Sequence, residues 1–151
     1  MVNITFPDNS IKKFEKGITG IEIAKSISNS LAKSMLALKL NDKIINIQDP
    51  INCDGKIKII TWNDEEGKET FWHSSSHLMA EAIQSIYPKA KFTIGPAVKN
   101  GFYYDIDFND KIISQDDLEK IEKKMIDLSK NKSTFSKKNI SKKEALNFYK
   151  N

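Results

Sequence analysis

Arginine is missing from this chain of 151 residues, and all 24 of its basic residues are lysines. Cysteine occurs once, at Cys53, so no disulfide can form within the chain, which fits a reducing compartment. No segment approaches the roughly 18 consecutive apolar residues that span a bilayer. The first residues lack the basic and apolar regions of a secretion signal. These absences predict a cytoplasmic protein that has no membrane partner.

Charge is distributed unevenly along the chain. The net charge is +4, and residues 132–151 carry six lysines against one glutamate, which gives this segment a charge of +5. Such a segment would attract a polyanion such as RNA through counterion release. A lysine-rich surface that contacts only water has the same composition, so charge alone leaves both interpretations open.

Residues 1–61 have the pattern of a small unit that is rich in strands. Apolar and polar residues alternate at its start, as in a half-buried strand. Thr19 and Glu22 have the spacing of a capping box, which predicts the start of a helix. The buried face of this helix is expected to carry Ile21, Ala24, Ile27 and Leu31. Strands are expected at residues 2–6, 11–14, 35–40, 44–47 and 57–61. This order predicts one helix packed across a mixed sheet.

Residues 63–68 are polar and show no apolar period, so we expect a linker there and a domain boundary after residue 62. The second unit, residues 63–151, should contain a helix over residues 71–87 that Pro88 ends. Strands are expected at 92–94 and 102–108, with a turn at Lys99-Asn100-Gly101 between them.

Two capping signals predict further helices in the second unit. Ser114 precedes Asp117 by three residues, and Ser141 precedes Glu144 by the same spacing. The second of these helices should reach Lys150, where the unit looks incomplete because no C-cap residue follows. The buried stripe of the first is expected to hold Leu118, Ile121, Met125 and Leu128.

His73-Ser74-Ser75-Ser76-His77 concentrates chemistry more than any other segment. Residues four apart lie on one side of a helix, so both imidazoles should face the same spot. Imidazoles exchange protons near neutral pH and also bind metals. The apolar residues of this helix, such as Ile83 and Ile86, lie on the other side at about 100° per residue. The histidines should therefore face water or a cleft.

Three interpretations of the pair remain open at this point. A metal site needs three or four ligands and the pair supplies two, while Ser74 stands where zinc proteases have a glutamate. A catalytic or substrate-positioning pair is the second interpretation. Two surface histidines without a role are the third.

Three ordered motifs give the chain a family resemblance. They are residues 73–83, which begin His-Ser-Ser-Ser-His, then Ile94-Gly95-Pro96, then residues 100–107, which read Asn-Gly-Phe-Tyr-Tyr-Asp-Ile-Asp. Together they resemble the start of the editing domain of bacterial threonyl-tRNA synthetases. Residues 1–62 resemble the TGS domain that precedes it. The resemblance implies an α+β protein: a ubiquitin-like β-grasp domain, then an incomplete α+β editing domain over residues 63–151.

The resemblance also implies site residues and partners. His73 and His77 would position the hydrolytic water and the terminal ribose of the tRNA, while Gly95 and Tyr104 would line the substrate pocket. The partners would be tRNA(Thr) and mischarged seryl-tRNA. Other family pocket residues, the ATP, magnesium and zinc sites, and the homodimer contacts belong to later parts of the family's sequence, so no cofactor or metal is expected in these 151 residues.

The resulting expectation is part of a threonine–tRNA ligase that contributes to hydrolysis of seryl-tRNA(Thr). Alone, this part should lack aminoacylation and edit poorly, because the far wall of the pocket would be missing. Two alternatives come from other classes. One is a free-standing RNA-binding or partner-binding module without catalysis, and the other is a small metallohydrolase.

Overall fold

The computed structural model describes residues 1–131, 133 and 138–150; Lys132 and Lys137 of the predicted basic segment lie outside this range. The strands of the first unit are β1 (Val2–Thr5), β2 (Ile11–Phe14), β3 (Ile18–Thr19), β4 (Met35–Leu40), β5 (Lys43–Ile45), β6 (Pro50–Ile51) and β7 (Gly55–Thr61). Its helices are α1 (Gly20–Ile27) and α2 (Asn29–Ser34). The second unit contains α3 (Glu65–Ile86), β8 (Lys91–Phe92), β9 (Ala97–Val98), β10 (Gly101–Phe102), β11 (Ile106–Asp107), α4 (Gln115–Lys130) and α5 (Lys142–Phe148).

The first unit is built on a five-stranded sheet in the order β2-β1-β7-β4-β5. β1 is parallel to β7, and the other neighbours are antiparallel. The predicted mixed sheet with a helix packed across it is therefore confirmed. Alternate residues of β1 point into the core, as a period of two requires. The largest fully buried side chains of this core are Val2, Ile4, Ile23, Leu38 and Ile51.

The start of α1 is confirmed, but its predicted buried face is partly wrong. The Thr19 hydroxyl accepts from the Glu22 N–H, and the Glu22 carboxylate accepts from the Thr19 N–H at 2.9 Å, so the capping box is complete. Ile23 and Ala24 are buried, whereas Ile27 is 45% exposed and Leu31 lies in the separate helix α2. Ile27 is the last residue of α1, and the backbone becomes extended at Ser28, so its side chain lies beyond the part of the helix that covers the sheet.

The predicted linker at 63–68 is wrong, since α3 begins at Glu65 rather than at residue 71. The chain leaves β7 through a tight turn in which the Asp64 carboxylate accepts from the Thr61 N–H at 2.9 Å. Glu65 and Glu66 then occupy the first helical turn, where negative charge is favourable. A polar segment without an apolar period can therefore still start a helix. The predicted end is accurate, because α3 ends at Ile86, next to Tyr87.

The predicted single strand at 102–108 is also wrong. β10 pairs with β9 in a hairpin, and β11 pairs separately with β8. The turn at Lys99 and Asn100 joins β9 to β10 rather than the two predicted strands. Gly101 has a φ of +153°, a conformation that favours glycine. No helix in the described ranges combines the length and the hydropathy that a membrane span requires.

The core of the second unit lies between α3 and α4. Ala82 and Ile83 of α3 are buried against Ile121 of α4. Met125 and Leu128 pack at its edge as predicted, but Leu118 is 51% exposed, so that prediction is wrong. Leu118 lies in the first turn of α4, where Asp117 takes the buried place instead. The predicted α5 is present and ends at Phe148, two residues before Lys150.

Asp117 is a buried carboxylate that joins α3 to α4. It accepts from the Tyr87 hydroxyl at 2.6 Å and from the Ser114 N–H at 3.0 Å, and it lies 3.1 Å from the Lys111 ammonium. These donors stabilise the ionised form. They hold the pKa of Asp117 well below its ordinary value, with the Tyr87 hydroxyl as the largest cause. The hydrogen bond to the Asp117 carboxylate in turn raises the pKa of Tyr87.

Acid is expected to weaken the packing of α3 on α4 through Asp117. Because the folded-state pKa is depressed, its stabilising contribution is complete above the unfolded pKa of about 3.9 and is lost as the pH falls toward the folded value. Asp117→Asn should lower the urea midpoint at pH 7 and flatten its decline below about pH 4. Asp116→Asn, at the exposed neighbouring position, makes the same charge change and should do neither. Equal acid slopes for Asp117→Asn and wild type would contradict this assignment.

Candidate functional site

One side of α3 faces the sheet of the first unit rather than the core of the second. Glu66, Thr70, His73 and His77 follow one another at intervals of three or four residues and therefore share this side. The Glu66 carboxylate lies 3.1 Å from the Lys39 ammonium of β4. This contact lowers the pKa of Glu66, chiefly through the hydrogen bond from Lys39. These four residues form the histidine stripe, and its first residue, Glu66, is thus attached to the sheet.

A second ion pair joins β7 to the residue that precedes α3. Lys58 of β7 lies 2.6 Å from Asp64, which lowers the pKa of the carboxylate and raises that of the ammonium. Trp62, just after β7, makes edge contacts with Phe71 and Trp72, at ring-centroid distances of 5.1 and 5.8 Å. The helix that carries the histidines is therefore held to the first unit by polar and aromatic contacts.

His73 and His77 lie on the exposed side of α3, as the sequence pattern predicts. Their Nε2 atoms are 3.1 Å apart, and the rings meet edge to face with centroids 4.6 Å apart. A hydrogen bond between two imidazole nitrogens needs one donor and one acceptor, and the tautomers of the two rings decide which ring donates. The arrangement joins a proton donor and a proton acceptor at one point on the surface.

Both imidazoles open onto a cleft of about 570 Å³ between α3 and the first unit. Thr70 and Ser74 of α3 line it beside the histidines. The opposite side comes from β4, β5 and the loop after β5, through Leu36, Ala37, Ile44, Ile45, Asn46, Ile47 and Gln48. A neighbouring cleft shares Ile44, Thr70, His73 and Ser74 and adds Pro96 and Ala97. The two clefts are continuous along the histidine stripe.

Gly95 and Tyr104, the other predicted site residues, contact each other. A side chain at Gly95 would overlap the Tyr104 ring, so glycine is required for this approach. The Tyr104 ring also makes an edge contact with the ring of Phe92, with the ring centroids 5.7 Å apart. Tyr104 is half-buried, whereas its neighbour Tyr103 is 51% exposed. Their predicted part in substrate binding stays a prediction.

Ser76 links the glycine to the histidine helix, and sequence reasoning did not single it out. Its side chain is 1% exposed, and its hydroxyl lies 2.8 Å from the His73 carbonyl oxygen and 3.0 Å from the Gly95 carbonyl oxygen. The hydroxyl can donate to either carbonyl. The predicted residues thus form two adjacent groups, His73 with His77 and Gly95 with Tyr104, joined through Ser76. The apolar stripe that carries Ile83 predicts this inward position, because residue 76 lies seven residues, or two turns, before it.

Metal binding was one of the open interpretations of the histidine pair. Across residues 1–131, 133 and 138–150, no group of three or more His, Cys, Asp or Glu side chains is placed to hold one ion.

Comparison with known proteins places this geometry in a family context. A family model for the TGS domain matches residues 2–61. Over 149 residues, 99% of this chain, the sequence is 52% identical to a threonine–tRNA ligase of Cytophaga hutchinsonii. Proteins of the same name from Parabacteroides distasonis and Flavobacterium johnsoniae are 47% and 45% identical over 149 and 150 residues. The chain is homologous to one portion of threonine–tRNA ligase.

That portion is small, since the chain spans 23% of the length of the curated relatives it matches. The TGS match ends at Thr61, the last residue of β7, so the β-grasp part of the predicted fold is confirmed. The histidine pair, Gly95 and Tyr104 lie after it, in the part that is matched by the threonine–tRNA ligases and not by the TGS model. The chain therefore matches one part of the threonine–tRNA ligases, and its four predicted site residues lie outside the TGS match.

Proposed function

We propose that this chain contributes to hydrolytic editing in a threonine–tRNA ligase, with residues 63–151 as the first part of the editing domain. The reaction is the cleavage of the ester that joins serine to tRNA(Thr). The observation that carries the proposal is the contact of His73 with His77 through their Nε2 atoms, 3.1 Å apart, at the edge of an open cleft. The whole protein would work in the cytoplasm, and its homodimer contacts would lie outside these residues.

Ester hydrolysis needs two proton movements that suit this pair. Water must lose a proton as it attacks the ester carbonyl, and the leaving ribose oxygen must gain one. The imidazole that accepts at Nε2 can take the proton from water. The imidazole that donates can hold the ribose oxygen by a hydrogen bond and supply the proton that it must gain. One ring gains a proton from water and the other loses one to the ribose oxygen, so the net charge of the pair is unchanged after the reaction. The resting contact must open to admit the substrate between the rings.

Selection of serine over threonine has a physical basis. A synthetic site that binds the amine and hydroxyl of threonine also accepts serine, because the missing methyl is worth only about 1–3 kcal/mol. A second site can reject threonine by size. Gly95 and Tyr104, packed together beside the histidine helix, would set the dimensions of this second pocket. The proposal assigns no cofactor to residues 1–151; ATP, magnesium and zinc would act in the aminoacylation domain.

A paired assay tests the proposal. The chain should bind tRNA(Thr) in a gel-shift assay with affinity that falls as salt rises, because lysines displace counterions. Fused to the remainder of the Cytophaga hutchinsonii ligase, which supplies the rest of the pocket, it should release serine from seryl-tRNA(Thr) faster than the same fusion with alanine at residues 73 and 77 does. Salt-sensitive binding with no difference in hydrolysis would instead favour an RNA-binding module. Hydrolysis that needs stoichiometric zinc would favour the metallohydrolase.

A further inference from the structure

Gly95 and Tyr104 are held against each other by hydrogen bonds between their own neighbours. The Thr93 N–H donates to the Asp105 carbonyl oxygen at 3.1 Å, and the Asp105 N–H donates to the Ile94 carbonyl oxygen at 3.0 Å. These bonds lie directly beside the place where the Tyr104 ring approaches Gly95. They fix the two residues relative to each other, but they do not set the distance from this pair to α3.

A hydrogen bond from Ser76 fixes the pair against the histidine helix. The Ser76 hydroxyl lies 3.0 Å from the Gly95 carbonyl oxygen. Among the residues that the structure describes, no other hydrogen bond joins α3 to residues 91–107. Apolar contacts also join them, such as that of the Trp72 ring with the Phe102 ring at a centroid distance of 6.4 Å. Apolar packing is non-directional, whereas a hydrogen bond fixes both a distance and an angle.

The single proton of the Ser76 hydroxyl is needed at Gly95. The other carbonyl oxygen within reach belongs to His73, 2.8 Å away, which lies inside α3. A carbonyl in that position already accepts from the N–H four residues later in the helix. Gly95 lies in neither β8 nor β9, and the hydroxyl is the donor that the structure places at its carbonyl oxygen. Because the Ser76 side chain is 1% exposed, water does not compete for this proton.

The position of Gly95 determines the position of the pocket wall. Pro96, the next residue, lines the cleft beside His73. The Tyr104 ring lies so close to Gly95 that a Cβ would overlap it, so the ring must follow any shift of the glycine. A change in the bond from Ser76 would therefore move both sides of the predicted pocket relative to the imidazoles.

We propose that Ser76 is a specificity-determining residue, whose hydroxyl holds Gly95 and Tyr104 close enough to α3 to exclude the extra methyl of threonine from the pocket. This inference rests on the proposed function. Ser76 is a positioning residue, since its buried side chain contacts no substrate and acts through the Gly95 carbonyl. A pocket that rejects one methyl group by size must have its width fixed more closely than the size of that group. A directional bond achieves this where apolar packing alone would not.

Deacylation of two esters by one protein tests this role. The fusion with the remainder of the Cytophaga hutchinsonii ligase is incubated, without ATP, with seryl-tRNA(Thr) or with threonyl-tRNA(Thr). The ratio of the two kcat/KM values measures discrimination. Ser76→Ala removes the proton donor with little change in volume, and the ratio should fall by ~10-fold, at the low end of the roughly 10–200-fold that one methylene is worth. Most of the fall should come from faster hydrolysis of threonyl-tRNA(Thr).

Matched variants separate the hydrogen bond from other effects. The Ser85 hydroxyl makes the same helical bond, to the Ala82 carbonyl oxygen at 2.8 Å, but among the described residues it bonds only within α3. Ser85→Ala should therefore leave the ratio unchanged. Ser76→Cys fills the same space with a weak donor, so it should lose discrimination as Ser76→Ala does. It carries the test if the amide spectrum shows that Ser76→Ala is unfolded.

NMR of the 151-residue chain tests the bond without any substrate. The carbonyl ¹³C resonance of Gly95 should move upfield in both Ser76 variants, because a carbonyl carbon is deshielded when its oxygen accepts a hydrogen bond. The same resonance should stay in place in Ser85→Ala. A Gly95 resonance that is indifferent to Ser76 would mean that the hydroxyl does not bond this carbonyl, and the proposal would fall.

The outcomes separate this inference from the function on which it rests. If alanine at His73 and His77 stops the release of serine while Ser76→Ala keeps the ratio, the role of Ser76 is refuted and the editing proposal stands. Equal slowing of both esters by Ser76→Ala would show a merely structural serine and would also refute it. A Ser76→Cys ratio equal to that of wild type would show that volume, not the hydrogen bond, sets the pocket. Hydrolysis that does not depend on the histidines would refute the editing proposal and this inference with it.

Discussion

Alanine at both His73 and His77 is expected to slow the release of serine from seryl-tRNA(Thr) by ~100-fold or more, the usual range for loss of positioned acid–base groups. The measurement needs the rest of the pocket. A chimera supplies it, in which this chain replaces the matching 149 residues of the Cytophaga hutchinsonii threonine–tRNA ligase, to which it is 52% identical. Threonylation of tRNA(Thr) by the same chimera should be unchanged, because the substituted side chains lie on the exposed face of α3 and not in its core.

The single variants sharpen this expectation. The rings share one hydrogen bond of 3.1 Å, so removing either should cost nearly as much as removing both. Gln84→Ala is the matched control, since Gln84 is exposed on the same side of α3 three turns further along. Its deacylation rate should equal that of the unmodified chimera. Unchanged deacylation by the double alanine variant would refute the role of the histidines, and loss of threonylation in parallel would point to a folding defect.

Local sequence patterns correctly predicted the elements whose signals involve residues close together in the chain. The capping boxes at Thr19 and Ser114 and the alternation of apolar residues in β1 each involve residues within four positions of one another. The start of α3 could not be predicted in this way. It depends on Lys39 and Lys58, which lie 27 and 6 residues before the carboxylates they contact. Long-range partners override a local pattern that favours a linker.

The same distinction between local and long-range contacts applies to the candidate site. The outward direction of His73 and His77 follows from the helical period of α3 alone, and the structure has both exposed. What they face does not follow from it. Ile44 is one of several apolar residues near β5, and its position opposite His73 arises from strand pairing and from the docking of α3 on the sheet. Sequence patterns fix the direction of a side chain more readily than the surface opposite it.

Gly67→Ala is expected to destabilise the chain by about 1–3 kcal/mol, the usual cost of overpacking. Gly67 is buried in the first turn of α3, where a Cβ would overlap the carbonyl of Thr61 at the end of β7 and lie 3.3 Å from the Ile60 side chain. The closest contact joins the backbone of α3 to the backbone carbonyl of Thr61, and neither can rotate away as a side chain would. The helix would have to move off β7, which would strain the Lys39–Glu66 and Lys58–Asp64 ion pairs. Urea unfolding followed by circular dichroism measures the change.

The sign of this effect is the informative part. At an exposed helical position, replacing glycine with alanine stabilises by roughly 0.5–1 kcal/mol, because alanine loses less backbone entropy on folding. Destabilisation at Gly67 would therefore show that close contact with Thr61 outweighs helix propensity. Glu69→Ala, two residues later on an exposed side, should stay within about 0.5 kcal/mol of wild type. A Gly67→Ala chain more stable than wild type would mean that α3 does not pack directly on the end of β7. The same result would remove one of the contacts that hold the TGS sheet beside the histidine pair.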